Sequence, residues 1–218
     1  MLELVKAGGW PMIPLLLLSA IALAIIAERA WTLRRKVVLP PALGKEVRTW
    51  AAGGKLDPAH IESLRSNSPL GELLAAALDV RHRPRDLIRE RIEDVGRHLV
   101  HRMERYLNTL GTISAAGPLL GLFGTVVGMI QMFLGILDHG IGDVTQLAGG
   151  IGKALVCTAA GMIVAIPALM AHRWFRGRIS EYIVAMEHEA IQLLDVIEPH
   201  AAVRPVAPAP APVAKKTA

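Results

Sequence analysis

Three of the polar side chains within the long apolar stretches of this sequence are of types that can interact with protons or ions. Thr125 lies within GPLLGLFGTVVGMIQMF, and Lys153 and Thr158 lie within GGIGKALVCTAAGMIVAIPALMA. A threonine hydroxyl either bonds the carbonyl one turn back in its own helix or faces a polar lumen. A lysine in such a stretch either serves a transport pathway or extends its ammonium group to the membrane surface. Both alternatives stay open for each threonine, and both stay open for Lys153.

Neither stretch contains a carboxylate or an imidazole. A proton relay inside a membrane normally needs a titratable carrier, so a proton pathway here would have to borrow its carboxylate from another chain. The single cysteine, Cys157, lies in an apolar context that predicts a small packing residue. No nucleophile–base pair and no metal-ligand set is visible. We therefore expect no enzyme activity, no cofactor and no metal site.

Small residues mark one side of the stretch around Thr125. Four glycines are spaced 4, 3 and 4 residues apart, which places them on one helical face. Such faces let helix backbones approach closely in lipid, within one subunit or between subunits. The predicted packing face comprises Gly117, Gly121, Gly124 and Gly128, with Gly161 in the other stretch. Pro118 and Pro167 fall within the same stretches and predict helix kinks.

The elements that must position these residues are membrane helices. The 218-residue chain is 52% hydrophobic but only 4% aromatic, and its mean hydropathy is +0.40. Three apolar runs are long enough to cross a bilayer: 10–27, 110–137 and 150–171. The sequence thus predicts an all-α integral membrane protein, with two long spans that extend into the cytoplasm and additional cytoplasmic helices.

The charges predict the orientation of these spans. Basic residues follow the first and third runs, and the net charge is +5. The positive-inside rule then places the ends of both runs in the cytoplasm and the acidic loop 138–149 outside. Without interleaved aromatic residues, the basic excess does not predict nucleic-acid binding. The remaining segments are an outer N-terminus (1–9), a cytoplasmic helical segment (28–109), a cytoplasmic C-terminal helix (172–199) and a disordered Pro/Ala-rich tail (200–218).

A family resemblance follows from two motifs. GLFGTVVGM in the second span and ALVCTAAGMIVAIPA in the third resemble the cores of the ExbB/TolQ/MotA proton-channel family. The three-span layout is most similar to ExbB and TolQ, since MotA-type stators have four spans. The resemblance implies a bacterial inner-membrane protein, multi-pass, with a periplasmic N-terminus and a cytoplasmic C-terminus.

The resemblance also implies partners and roles. An ExbB-like chain forms a homopentamer around ExbD-like (or TolR-like) single-span subunits, each with an essential aspartate. The proton motive force then drives a motor that energises TonB-dependent outer-membrane transport. The alternatives are a TolQ-like subunit that acts through a TolA-like protein in the Tol-Pal envelope system, or a non-conducting membrane scaffold. The family's pore threonines fall on Thr125 and Thr158.

One position departs from the family pattern. Members commonly carry a glutamate five residues before the third-span threonine, where this sequence has Lys153. A positive charge there would repel protons near a channel entrance, or attract a partner carboxylate or a lipid phosphate. On an ideal helix Lys153 and Thr158 lie about 140° apart, so they need not line the same surface.

Overall fold

The computed structural model describes residues 9–53, 57–139 and 144–197, and the regular elements in these ranges are all helices. This confirms the all-α fold class. In chain order the helices are α1 (Met12–Thr32), α2 (Arg35–Val38), α3 (Leu43–Ala52), α4 (Pro58–Asn67), α5 (Pro69–Asp79), α6 (Arg85–Met103), α7 (Leu107–His139) and α8 (Val144–Ile197).

Three helical stretches are long and apolar enough to cross a membrane: Met12–Thr32, Arg85–Leu137 and Ala148–Ile197. The second of these joins α6 to α7. With 33 residues, α7 is about 50 Å long, and α8 with 54 residues is about 81 Å long. Both exceed the ~30 Å hydrocarbon core of a bilayer, as the sequence predicts.

The third span and the C-terminal helix are one element. The apolar run predicted as the third span ends at Ala171, but α8 continues unbroken to Ile197. Between residues 171 and 197 the only weak helix former of note is Gly177, and no proline intervenes. The change from apolar to charged residues therefore does not coincide with an end of the helix. Both ends of the predicted outer loop 138–149 are helical, because α7 ends at His139 and α8 begins at Val144.

A hydrophobic core forms where the polar half of α8 meets the short helices. The fully buried side chains include Leu74 and Leu78 of α5, Leu99 of α6, and Phe175 and Met186 of α8. Burial of each such side chain contributes about 1.5–3 kcal/mol. This core packs the start of α7 and the charged half of α8 against the short helices.

Local signals in the sequence set the boundaries of the short helices. Ser68 ends α4 and caps α5, since its hydroxyl accepts the Gly71 N–H at 3.1 Å, and Pro69 occupies the first helical position. Gly71 is required by close approach, because a methyl group there would collide with the Leu64 carbonyl.

The junction between α6 and α7 is held by a buried arginine from α1. Arg29 is 5% exposed, donates from Nη1 to the Met103 carbonyl at 3.0 Å, and contacts Glu28. Its guanidinium lies 5.3 Å from the ring centroid of Tyr106, whose φ of 64° is unusual for a residue with a side chain. The end of α1 thus contacts the turn between α6 and α7.

The predicted outer N-terminus and the predicted Pro/Ala-rich tail lie outside the described residues, apart from Gly9. The same holds for residues 140–143 of the predicted outer loop.

Candidate functional site

The four glycines of the second span all face α8 of the same chain. A methyl group on Gly117 would lie 3.0 Å from the Ala165 side chain, and one on Gly128 would lie 3.1 Å from that of Ala154. Gly121 stands equally close to the backbone of Thr158. These residues are buried, and the spacing of small residues on both helices brings the two backbones together along this face.

Gly161 completes the face from the α8 side. A methyl group there would lie 2.5 Å from the Gly117 carbonyl oxygen and 3.1 Å from the Gly121 Cα. Both neighbours are backbone atoms, which cannot rotate away as the end of a side chain can. Gly161 therefore marks the closest approach of α7 and α8 in this part of the pair.

Thr158 connects the two helices through its hydroxyl. Its Oγ1 donates to the Gly121 carbonyl oxygen of α7 at 3.3 Å. A hydroxyl has one donor and two acceptor lone pairs, so the oxygen can still accept a hydrogen bond from another group. Half-buried Thr158 also lies next to exposed Ala159 on α8.

Thr125 lies beside the glycine face, directly after Gly124. Its Oγ1 donates to the Leu122 carbonyl of its own helix at 2.6 Å. This is the back-bonded arrangement that threonines often take inside helices. The residue is half-buried, and a hydroxyl oxygen that donates one hydrogen bond keeps two acceptor lone pairs.

Lys153 is not brought to Thr158 by the fold. Lys153 is exposed, whereas its neighbour Ala154 is buried against Gly128. Within the described parts of the chain, Lys153 makes no ion pair.

The first span covers the other side of the helix pair. Met12 and Leu15 of α1 form a buried cluster with Cys157 of α8. A methyl group on Gly124 would lie 2.5 Å from the Cys157 Cβ. Sequence reasoning predicts a packing role for Cys157 but misses that it lies where three helices meet. That position follows from tertiary contacts, which no local pattern reports.

Pro118 and Pro167 both lie inside helices, in α7 and α8 respectively, and both are exposed. Each removes one backbone N–H from its helix. The helices continue past both residues in the structure.

Charged side chains gather where α8 leaves its apolar stretch. Arg178 Nη1 donates to Glu181 Oε2 at 2.9 Å, and this hydrogen bond raises the pKa of the Arg178 guanidinium. The Tyr182 hydroxyl donates to the Leu33 carbonyl at 2.9 Å and so fastens α8 to the end of α1. In the ranges that the structure covers, no group of three or more His, Cys, Asp or Glu side chains could hold a metal ion.

Sequence comparisons identify relatives of this chain. The profile of the MotA/TolQ/ExbB proton channel family matches residues 65–188, which is more than half of the chain. The ExbB-like 1 biopolymer transport protein of Synechocystis is 38% identical over 169 residues, covering 76% of this chain and 66% of that protein. The biopolymer transport protein ExbB of Salmonella typhimurium is 37% identical over 107 residues, covering 49% of this chain and 42% of that protein.

ExbB of Neisseria gonorrhoeae is 38% identical over 94 residues, covering 42% of this chain and 43% of that protein. The chain thus spans about two thirds of the Synechocystis relative and under half of the other two. The family match and the ExbB names of these relatives agree with the motifs in the second and third spans. Together with its three apolar helices, they show that the chain is a multi-pass membrane protein of the MotA/TolQ/ExbB proton channel family, similar to ExbB.

Proposed function

We propose that this chain is the proton-conducting subunit of a motor driven by the proton motive force. In this proposal Thr125 and Thr158 lie on the pathway, and the titrating carboxylate belongs to an aspartate on an ExbD-like single-span partner. Each proton that crosses the membrane down the electrical potential releases about 2.3 kcal/mol per 100 mV, and this free energy drives the motor.

The observation that carries this proposal is the hydrogen bond from Thr158 Oγ1 to the Gly121 carbonyl. It holds the hydroxyl at the contact between α7 and α8 beside Gly121 and Thr158, which we call the seam. There its lone pairs can accept a hydrogen bond. A protonated carboxyl or a water molecule can donate that bond. Thr125 lies one turn beyond Gly121 on α7, so its hydroxyl extends the same polar seam.

The lack of internal carriers supports a partner. The apolar stretches of α7 and α8 contain no aspartate, glutamate or histidine. A threonine hydroxyl is too weak a base to take up an additional proton at neutral pH. A partner aspartate supplies the missing group. Exposed apolar side chains near Thr158, such as Met162 and Ile166, need a cover of lipid or of another helix.

The assembly that fits this role is a homopentamer around ExbD-like (or TolR-like) helices. In a bacterial inner membrane its N-terminus is periplasmic and its C-terminus cytoplasmic, in keeping with the arginines that follow α1 and the apolar part of α8. The energised target is a TonB-like protein that serves outer-membrane transport. A TolA-like protein of the Tol-Pal system is the alternative, and the neighbouring genes distinguish the two.

A non-conducting scaffold is the second candidate, and one observation favours it. The whole glycine face of α7 is used in packing against α8 of the same chain. Tight packing alone would therefore account for the glycines without any lumen. Only a measurement on the hydroxyls separates this function from conduction.

The test uses threonine-to-valine variants, which keep the side-chain shape and remove the hydroxyl. Thr158→Val and Thr125→Val are expected to reduce energised transport in cells while the complex still assembles. Thr112→Val is the matched control, because its hydroxyl also bonds a carbonyl of its own helix, that of Asn108, near the start of α7. Normal transport in both seam variants would overturn the assignment of these residues and favour the scaffold.

A further inference from the structure

A basic cavity of about 510 Å³ lies where α6, α7 and α8 meet. Its lining comes from the α6–α7 junction, including Arg105 and Tyr106, and from α8, including His172 and Arg176. The volume falls within the range of small-molecule sites. Neither the packing of the spans nor the threonine seam accounts for it.

The charge of the cavity is strongly one-sided. Three arginines line it, Arg102, Arg105 and Arg176, against one carboxylate, Glu104. Arg102 is already paired with Glu72 at 2.5 Å. Within the described ranges, Arg105 and Arg176 make no ion pair, and two histidines add further donors. The cavity therefore presents several N–H donors to an anion and offers few acceptors to a cation.

The residues around the cavity indicate its level relative to the membrane surface. His172 directly follows the apolar stretch of α8, and its ring would lie 3.3 Å from a methyl group on Gly111, in the first turns of α7. Each span carries an exposed aromatic residue at this end: Trp31 is 66% exposed, Tyr106 42% and Trp174 57%. Aromatic residues of this kind gather at the level of lipid headgroups. The cavity thus lies at the boundary between hydrocarbon and water.

We propose that this cavity binds the phosphate of an anionic phospholipid headgroup, with Arg105 and Arg176 as its principal ligands. The arginine fork matches phosphate oxygens in geometry and keeps its charge at any physiological pH. The acyl chains would run along exposed apolar residues of α8, such as Met170 and Ile166, which lie close to His172 in sequence. A soluble phosphate shares the headgroup chemistry but gains nothing from this position.

The experiment places the full-length protein, with its co-purifying partners, in nanodiscs that contain phosphatidylglycerol in phosphatidylcholine. Native mass spectrometry counts the lipids retained per subunit. The double variant Arg105→Gln/Arg176→Gln is compared with Arg34→Gln/Arg173→Gln. The control removes the same charge from exposed arginines near the same membrane surface that do not line the cavity.

Phosphatidylglycerol is expected to bind the control somewhat more weakly than the wild type, and the cavity variant at least tenfold more weakly than the control. Charge-assisted hydrogen bonds contribute on the order of tenfold or more each, beyond the diffuse attraction that both variants lose equally. An equal loss of phosphatidylglycerol binding in the two double variants would show that only the general positive charge of this surface attracts the lipid. That result would overturn the proposal.

Two further arms identify the source of the phosphate. Nanodiscs of phosphatidylcholine alone are expected to leave the cavity without retained lipid, since that headgroup has no net charge. Inorganic phosphate at millimolar concentration is expected not to displace phosphatidylglycerol. Displacement would mean that a soluble anion is the ligand and would overturn the lipid assignment. A single Arg176→Lys variant, which keeps the charge but loses the fork, is expected to retain an intermediate amount of lipid.

Discussion

The contact between Gly161 and α7 makes a sharp prediction about the packing of the second and third spans. In a Gly161→Ala variant, the new methyl group would lie 2.5 Å from the Gly117 carbonyl oxygen, where side-chain carbons essentially never lie. Since the contact is with backbone, the helices must separate by several tenths of an ångström. The matched variant is Gly177→Ala in the same helix, where nothing lies within 4 Å of the new methyl group.

The expected magnitudes follow from two opposing terms. Alanine favours a helix over glycine by about 1 kcal/mol, and this gain applies to both variants. Overpacking costs roughly 1–3 kcal/mol, and this loss applies to Gly161→Ala alone. The difference between the two variants therefore isolates the steric cost. At about 2–4 °C per kcal/mol for a chain of this size, the Tm of Gly161→Ala should lie about 2–12 °C below that of Gly177→Ala.

The assay is thermal unfolding in detergent, followed by intrinsic tryptophan fluorescence, with size-exclusion chromatography to confirm that the same oligomer is present. Gly177→Ala should match or exceed the wild-type Tm. Equal Tm values for the two variants would refute the close approach of α7 and α8 at Gly161.

Three other changes test separate parts of the structure. Ser68→Ala removes the cap of α5 and should lower the free energy of unfolding by about 1 kcal/mol. The control, Ser66→Ala at an exposed position, should change it by less than about 0.5 kcal/mol. Equal effects of the two variants in denaturant titrations would contradict the capping role of Ser68. Tyr182→Phe leaves the buried Leu33 carbonyl without its donor, and the same titration should show a loss of about 1–3 kcal/mol; an unchanged midpoint would rule out that bond. Lys153→Glu restores the usual family residue and should raise proton-driven transport by removing a repelling charge; unchanged transport would show that the position is not critical.

The helix pair shows what a sequence can predict and where prediction ends. The spacing of Gly117, Gly121, Gly124 and Gly128 requires a common face, because helical periodicity is a local property. Which helix covers that face depends on the fold of the whole chain. The structure assigns it to α8 of the same chain, so this face is not available to a partner helix.

The same distinction between local pattern and tertiary contact applies to α8 and to Arg29. The apolar run ends at Ala171, yet a change in polarity does not end a helix when no proline or capping residue follows. Arg29 counts toward the positive charge after the first apolar run, but its burial against Met103 comes from a contact 74 residues away in sequence. Local patterns thus predict the spans and their small faces, while the connections between them require tertiary contacts.

Proton flux through proteoliposomes is the most direct test of the proposed function. The full chain, reconstituted with a single-span partner that carries a membrane aspartate, should pass protons when a membrane potential is imposed, as followed by an internal pH dye. Thr158→Val should abolish most of this flux, and Thr112→Val should leave it unchanged. Equal flux from wild type and Thr158→Val, or no flux from the complete complex, would contradict the assignment of the seam between α7 and α8 as a proton pathway.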